Sequence, residues 1–203
     1  MRYPRGARFA ISRRVAMKFG AGALVGASVA SEAGRDASAT AEPTGPADRL
    51  TREQYDGLAA LAERIWPGAV AAGALIYIDR ALAGAYARDL ASYRVVLAAL
   101  DARAKQQFGE RFAAVKGEQQ DALLRALEAD ALGELRAANG PALFEMLRAH
   151  VMEGVLSDPV YGGNRDFAGW KDVGYPGPYR LYTKDEQTST QPLHMPYRSI
   201  KDL

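Results

Sequence analysis

The chain has 203 residues, 48% hydrophobic and 25% charged, enough for one globular domain with appendages. It contains no cysteine, which excludes disulfides, thiolate metal sites, thiol nucleophiles and C-x-x-C-H haem attachment. The formal charge of +2 hides an asymmetry: residues 1–30 carry six basic side chains and no acid, and without them 20 basic residues face 24 acidic ones, a balance unsuited to nucleic-acid binding.

Residues 1–30 read as an export signal. Basic residues up to Lys18 precede a weakly apolar run, FGAGALVGASVA, which ends in the small-x-small cleavage pattern Ser28-Val29-Ala30; Ala37-Ser38-Ala39 is a second candidate. The stretch Ser12-Arg13-Arg14-Val15-Ala16-Met17-Lys18 is similar to the twin-arginine signal S-R-R-x-F-L-K, with Ala16 and Met17 where Phe and Leu are usual. The plain alternative is a disordered basic tail. A retained membrane anchor is not the expected reading of this run, because 12 residues rich in Gly and Ala are too short to span. Gly20-x-Gly22-x-x-x-Gly26 imitates a dinucleotide-binding loop, but no strand precedes it and a polar segment follows. That segment, residues 31–49, is small, polar and Pro/Gly-bearing, the composition of a flexible linker.

The folded body is expected over residues 50–156. Thr51 and Gln54 form a capping box with Leu50 as a hydrophobic staple, and Tyr55, Leu58, Leu61, Ala62 and Ile65 follow at helical spacing until Pro67-Gly68. Trp66 reads as a core residue. A second helix covers 74–84, with Leu75, Ile78 and Leu82 inward and Asp79-Arg80 as a solvated pair. A third covers about 89–107 through Tyr93, Val96, Leu97, Leu100 and Ala104; residues 108–115 either extend it or form a separate turn. A fourth covers 118–131, with acids at its start that favour the helix dipole. Pro141 opens a fifth, 141–156, with Leu143, Phe144, Leu147, Val151 and Val155 inward. No strand-like alternation persists, so the fold class is all-α: a bundle of about five helices with a Gly/Pro/aromatic-rich coil tail over 157–203.

That tail opens with the most unusual stretch in the chain. Residues 154–178 hold six Gly, three Pro and four aromatics, so periodicity assigns neither helix nor strand. Ordering it costs more than its own rings recover, so it has to lie on something: its own helices or another protein. Near the C-terminus, Tyr197, Arg198 and Lys201 follow the Pro-rich QPLHMP, either as an extended docking segment or, more plainly, as disorder.

Catalytic groups are hard to find. Only His150 and His194 exist; His150 and Glu153 have a helical metal-site spacing, but the other helices offer Ala and Leu where partner ligands belong, and a surface or capping histidine is the preferred reading. Asp158, Asn164 and Asp166 lack the alternating acids and terminal Glu of an EF-hand, so an Asp-Pro turn is preferred there. G-x-S-x-G, Walker A and H-E-x-x-H are all absent. Catalytic, cofactor-binding and metal-ligating residues are therefore expected to be none in this chain.

Residues 147–177, above all DPVYGGN, GW and the triplet Tyr175-Pro176-Gly177, resemble the C-terminal signature of the gluconate 2-dehydrogenase subunit 3 family. LTREQYDGLAALAERIWPG, YIDRALAGAY and FGERFAAVKGEQQDALLRALEAD look like its earlier sections; residues 68–73 are shorter and less acidic than the insert often found there. The resemblance implies a small accessory subunit that stabilises a large flavoprotein carrying FAD and takes it through the twin-arginine translocase to the periplasm. It further implies oxidation of a sugar, sugar acid or polyol there, peripheral to the inner membrane, with electrons passing to a multihaem cytochrome c. On that reading Ser12, Arg13, Arg14 and Lys18 form the export signal. The partner interface is then Asp158, Pro159, Tyr161, Gly162, Gly163, Asn164, Trp170, Tyr175, Pro176 and Gly177, unless these residues pack on their own helices. A free-standing periplasmic protein that binds a small ligand, and an enzyme using His150 and Glu153 with a metal, are the competing readings.

Overall fold

Thr51 starts the fold. Its hydroxyl accepts the Gln54 amide at 3.2 Å while the Gln54 side chain takes the Thr51 amide at 3.0 Å, so two orphan donors of the helix end are satisfied reciprocally. The computed structural model describes residues 49–135, 138–179, 181–191 and 195–203. The export signal expected at Ser12, Arg13, Arg14 and Lys18, the linker before residue 49, and His194 lie outside the described residues.

Helix α1 (Arg52–Ile65) stops where Trp66 turns extended before Pro67. The Glu63 carboxylate then receives the amides of Gly68 and Val70 at 2.9 and 2.8 Å, which fixes the connection to α2 (Ala74–Ala83). A 3-10 turn, Ala87–Asp89, leads into α3 (Leu90–Phe108), which Gly109 ends in a left-handed conformation. Residues 109–115 form a separate turn, anchored by the buried Phe112, whose amide donates to Asp101 at 3.0 Å. Helix α4 (Gly117–Glu128) follows, then α5 (Gly140–Leu156), capped by the Asn139 side chain on the Ala142 amide with Pro141 in its first turn.

Helix α5 is the hub. It lies against α1, α2, α3 and α4, and its Leu147, Val151 and Val155 meet Leu58, Leu61, Ile78, Val96, Leu100 and Leu127 in one continuous core. Helices α2 and α5 cross closely because Gly154 has no side chain: a Cβ there would come 2.8 Å from the Ala74 Cα. Among the described residues no strand occurs and no helix is long and apolar enough to cross a membrane.

The all-α expectation holds, with the five long helices within three residues of their expected ends. Three details differ. Asp79 is not half of a solvated pair with Arg80: it pairs with the Arg49 guanidinium at 2.9 Å, and Arg80 is exposed. The tail is not coil throughout. It forms 3-10 turns at Pro159–Tyr161 and Arg165–Phe167, then α6 (Ala168–Val173), α7 (Lys184–Thr188) and a last turn at Ile200–Asp202. These elements were illegible because each is shorter than two helical periods, and dense glycine masks the little periodicity that remains. The C-terminal residues around Tyr197 and Arg198 fold back onto the strap formed by residues 157–178.

Candidate functional site

The strap is held from below by one side chain. Asn164 is completely buried: its Nδ2 donates to the Ser157 carbonyl at 2.9 Å, and its Oδ1 accepts the Gly169 amide at 2.9 Å and the Trp170 amide at 3.4 Å. Its own amide donates to the Gly154 carbonyl at 2.9 Å. One amide thus ties the end of α5 to the start of α6, and every hydrogen-bonding group it buries has a partner. Gly163 lets this happen, since any Cβ there would collide with the Gly154 carbonyl. Asn164, Asp166 and Phe167 all have positive φ, +45°, +55° and +58°. Asn and Asp tolerate that region, but Phe167 is held there by its surroundings, with its ring stacked between Trp170 and Tyr197. Trp170 is buried, and its indole N–H donates to the Leu156 carbonyl at 2.7 Å.

Asp158 closes the strap from the other side. Its carboxylate accepts the Val160 amide at 3.0 Å, which is the Asp-Pro turn expected from sequence, and also the Ser199 hydroxyl at 2.6 Å and the Ile200 amide at 2.8 Å. Burial works to raise this carboxyl, but the hydrogen bonds from Ser199, Val160 and Ile200, with Lys201 nearby, outweigh it and hold the group below the usual carboxylate range. The C-terminus is therefore latched to the strap. Arg198 adds a backbone bond to the Pro176 carbonyl at 3.0 Å, and Gly177 is buried beneath the Trp170 ring and the Arg198 carbonyl.

The residues expected at an interface thus divide. Asp158, Gly163, Asn164, Trp170 and Gly177 are buried in the chain's own fold. Pro159, Gly162 and Pro176 are half-buried around them. Tyr161 and Tyr175 remain outward, 54% and 43% exposed. Beside them sequence reasoning missed Val160 and Ile200, 42% and 46% exposed, whose amides share the Asp158 carboxylate and so stand close together. Tyr175 sets its edge on Trp170 at 5.0 Å between ring centres. Only the fold-back of the C-terminus places Ile200 in this group.

A second polar centre lies where α5 meets α2 and the entry to α3. Tyr77 and Tyr86 both donate to Glu153 Oε2, at 3.1 and 2.7 Å. The Tyr93 hydroxyl shares a hydrogen bond with His150 Nδ1 at 3.0 Å, and the Tyr86 ring stacks flat on the imidazole at 4.1 Å. His150 is 7% exposed, which corrects the surface or capping reading: the helix turns it toward the fully buried Tyr93. Burial pushes its pKa down, against the opposing pull of Glu153 and Asp89. Burial likewise raises the phenols of Tyr77 and Tyr93, so both stay protonated donors at neutral pH. The spacing of His150 and Glu153 was legible; the three tyrosines come from separate elements and carried no local signal. Among the described residues no three His, Cys, Asp or Glu side chains gather in metal-ligating geometry.

Two open clefts lie on the described surface. One of about 430 Å³ lies between α1 and α3, over Gln54, Leu97 and Lys105; another of about 380 Å³ lies between Trp66 and the strap, beside Arg165 and Asp172.

These features define a class: a small all-α protein whose most elaborate local structure is a glycine- and aromatic-rich strap, latched by the chain's own C-terminus and rimmed with exposed apolar residues. The chain belongs to the gluconate 2-dehydrogenase subunit 3 family, whose model matches residues 52–177, from the first residue of α1 to Gly177 of the strap. No curated protein and no solved structure matches it.

Proposed function

We propose that this chain is the non-catalytic small subunit of a periplasmic, membrane-associated, FAD-dependent dehydrogenase of the gluconate 2-dehydrogenase type, acting on a sugar, sugar acid or polyol. It stabilises the flavoprotein subunit and, through the segment around Arg13 and Arg14, carries it along the twin-arginine route. A multihaem cytochrome c takes the electrons, so FAD and haem reside in the partners. Family membership supports the assembly, and the twin-arginine-like string supports the route.

The observation that carries the reading is the distribution of exposed apolar side chains. Of the nine large hydrophobic residues exposed among the described residues, seven fall in residues 160–203, and only Val70 and Val95 lie elsewhere. Contiguous exposed apolar surface marks an interaction site, and aromatic residues at its centre are the usual anchors. The docking surface is therefore the outer rim of the strap, Val160, Tyr161, Tyr175 and Ile200, while its inner residues hold that rim in shape.

The test uses the full chain in its native host. Affinity purification should bring down a large subunit with the absorbance of bound flavin and with sugar- or polyol-oxidising activity. The double change Tyr161→Asp and Ile200→Asp should abolish that recovery while the variant chain still folds. Replacing Arg13 and Arg14 by Lys should leave both subunits in the cytoplasm. Flavin recovery unchanged in the rim variant removes the assigned surface, and export unchanged in the arginine variant removes the assigned route.

A further inference from the structure

The centre around Glu153 is electrostatically unfinished. Both tyrosine hydroxyls donate to the same carboxylate oxygen, Oε2, and among the described residues nothing hydrogen-bonds to Oε1. One turn earlier on α5, His150 is more than nine-tenths buried, uses Nδ1 on Tyr93, and has no protein partner for Nε2 among the described residues. Ser157 Oγ is the one side-chain atom among the described residues that is both sealed and unpartnered, so His150 Nε2 keeps a path to solvent. The charged groups acting on this cluster are acids, Glu153 and Asp89, and neither is ion-paired to a Lys or Arg in the described residues.

Elsewhere the same fold does supply counter-cations. Arg49 takes Asp79 with two nitrogens at 3.2 and 2.9 Å, and Arg64 takes Asp121 with two at 2.7 Å. Among the described acids Glu153 alone is given two phenol donors on one oxygen. Those donors orient the carboxylate without neutralising it. Tyr77 and Tyr86 meet the carboxylate through their hydroxyls, and His150 covers one face of Tyr86, so the charged acceptor for an organic cation is Oε1 of Glu153. A bare divalent metal fits less well, because only one carboxylate oxygen and one imidazole nitrogen are open to it.

We infer that Tyr77, Tyr86, His150 and Glu153 form a receptor for a guanidinium or alkylammonium group, with Glu153 Oε1 as the charged acceptor and the two tyrosine hydroxyls fixing its orientation. The cation comes either from a basic side chain of the partner subunit or from a free amine. The site stands on this chain's own geometry and does not depend on the reading of the strap.

The test is a titration of the full chain with methylguanidinium chloride, followed by the imidazole Cε1–H resonances in carbon–proton spectra. The chain has two histidines, so His194→Gln identifies the His150 signal. The His150 signal should move saturably, beyond any change produced by sodium chloride at equal ionic strength. Glu153→Gln keeps an oxygen for Tyr77 and Tyr86 but removes the charge, and should weaken the response about tenfold or more. Glu110→Gln, an exposed carboxylate elsewhere, should leave it unchanged. Tyr86→Phe, which keeps the ring and loses one donor, should give a smaller loss and serves if Glu153→Gln does not fold. An identical shift with sodium chloride, equal affinity in Glu153→Gln, or a response to Zn²⁺ but none to methylguanidinium overturns the inference. In the purified complex, a His150 signal already at the bound position and deaf to methylguanidinium assigns the cation to the partner; continued titration assigns it to a free amine. If no partner is recovered, the titration of the lone chain still decides.

Discussion

Helix α5 carries two polar centres one turn apart, and they are finished to different degrees. At its C-terminal end every polar atom of the Asn164 side chain is engaged within the chain, although the Oγ of the Ser157 it bonds is sealed without a partner. Gly154 and Glu153, three and four residues before Ser157, mark the change: Glu153 is held by two hydroxyls yet leaves one oxygen unused. A fully satisfied network fixes a shape, whereas a half-satisfied one costs stability unless something else completes it. The Asn164 side chain therefore holds the strap in shape, while Glu153 offers the acceptor that the inferred receptor uses.

Mutations should break the two centres differently. The largest effect is expected from Asn164→Ala, which strips the partners from the Ser157 carbonyl and the Gly169 amide and leaves alanine at a positive φ. A loss of about 3 kcal/mol in chemical denaturation follows from the unsatisfied groups and the strained backbone. A loss under about 1 kcal/mol would show that the strap is not what Asn164 holds. Asp158→Asn should cost about 1–2 kcal/mol at neutral pH by weakening the latch to Ser199 and Ile200. Because the folded state holds this carboxyl below its ordinary value of 3.8, its contribution is present above that pH and is lost as the pH falls through the folded value. The gap between wild type and Asp158→Asn should therefore close in acid, which denaturation curves at several pH values would measure.

At the open centre Tyr93→Phe should cost only about 1 kcal/mol, one hydrogen bond to His150 Nδ1. His150 adds a milder pH dependence. Its folded pKa lies below the ordinary 6.5, so the unfolded chain takes up the proton first and stability declines as the pH falls below 6.5. Replacing His150 by Gln should flatten that part of the stability profile. The smallest effect on folding belongs to the rim: Tyr161→Ala is expected to change stability by less than about 0.5 kcal/mol, because the ring is exposed. It should instead lower recovery of the flavoprotein, which sharpens the division between residues that build the strap and residues that present it.

The sequence determined the frame by itself. Its capping box at Thr51, its Pro-Gly stop after Trp66, Pro141 at the start of α5 and the 3.6-residue recurrence of Leu, Val and Ile are local signals, and local physics is enough to read them. The strings DPVYGGN and Tyr-Pro-Gly also carried the family. What the sequence left open was whether the strap lies on its own helices or on another chain. Only the tertiary structure decided that Asp158, Asn164 and Trp170 face inward while Tyr161 and Tyr175 face out, because that depends on the C-terminus returning across 41 residues from Ser199 to Asp158. The same holds for His150 and Glu153: their partners Tyr77, Tyr86 and Tyr93 lie 57 or more residues away, and no local periodicity reports a neighbour brought in by packing.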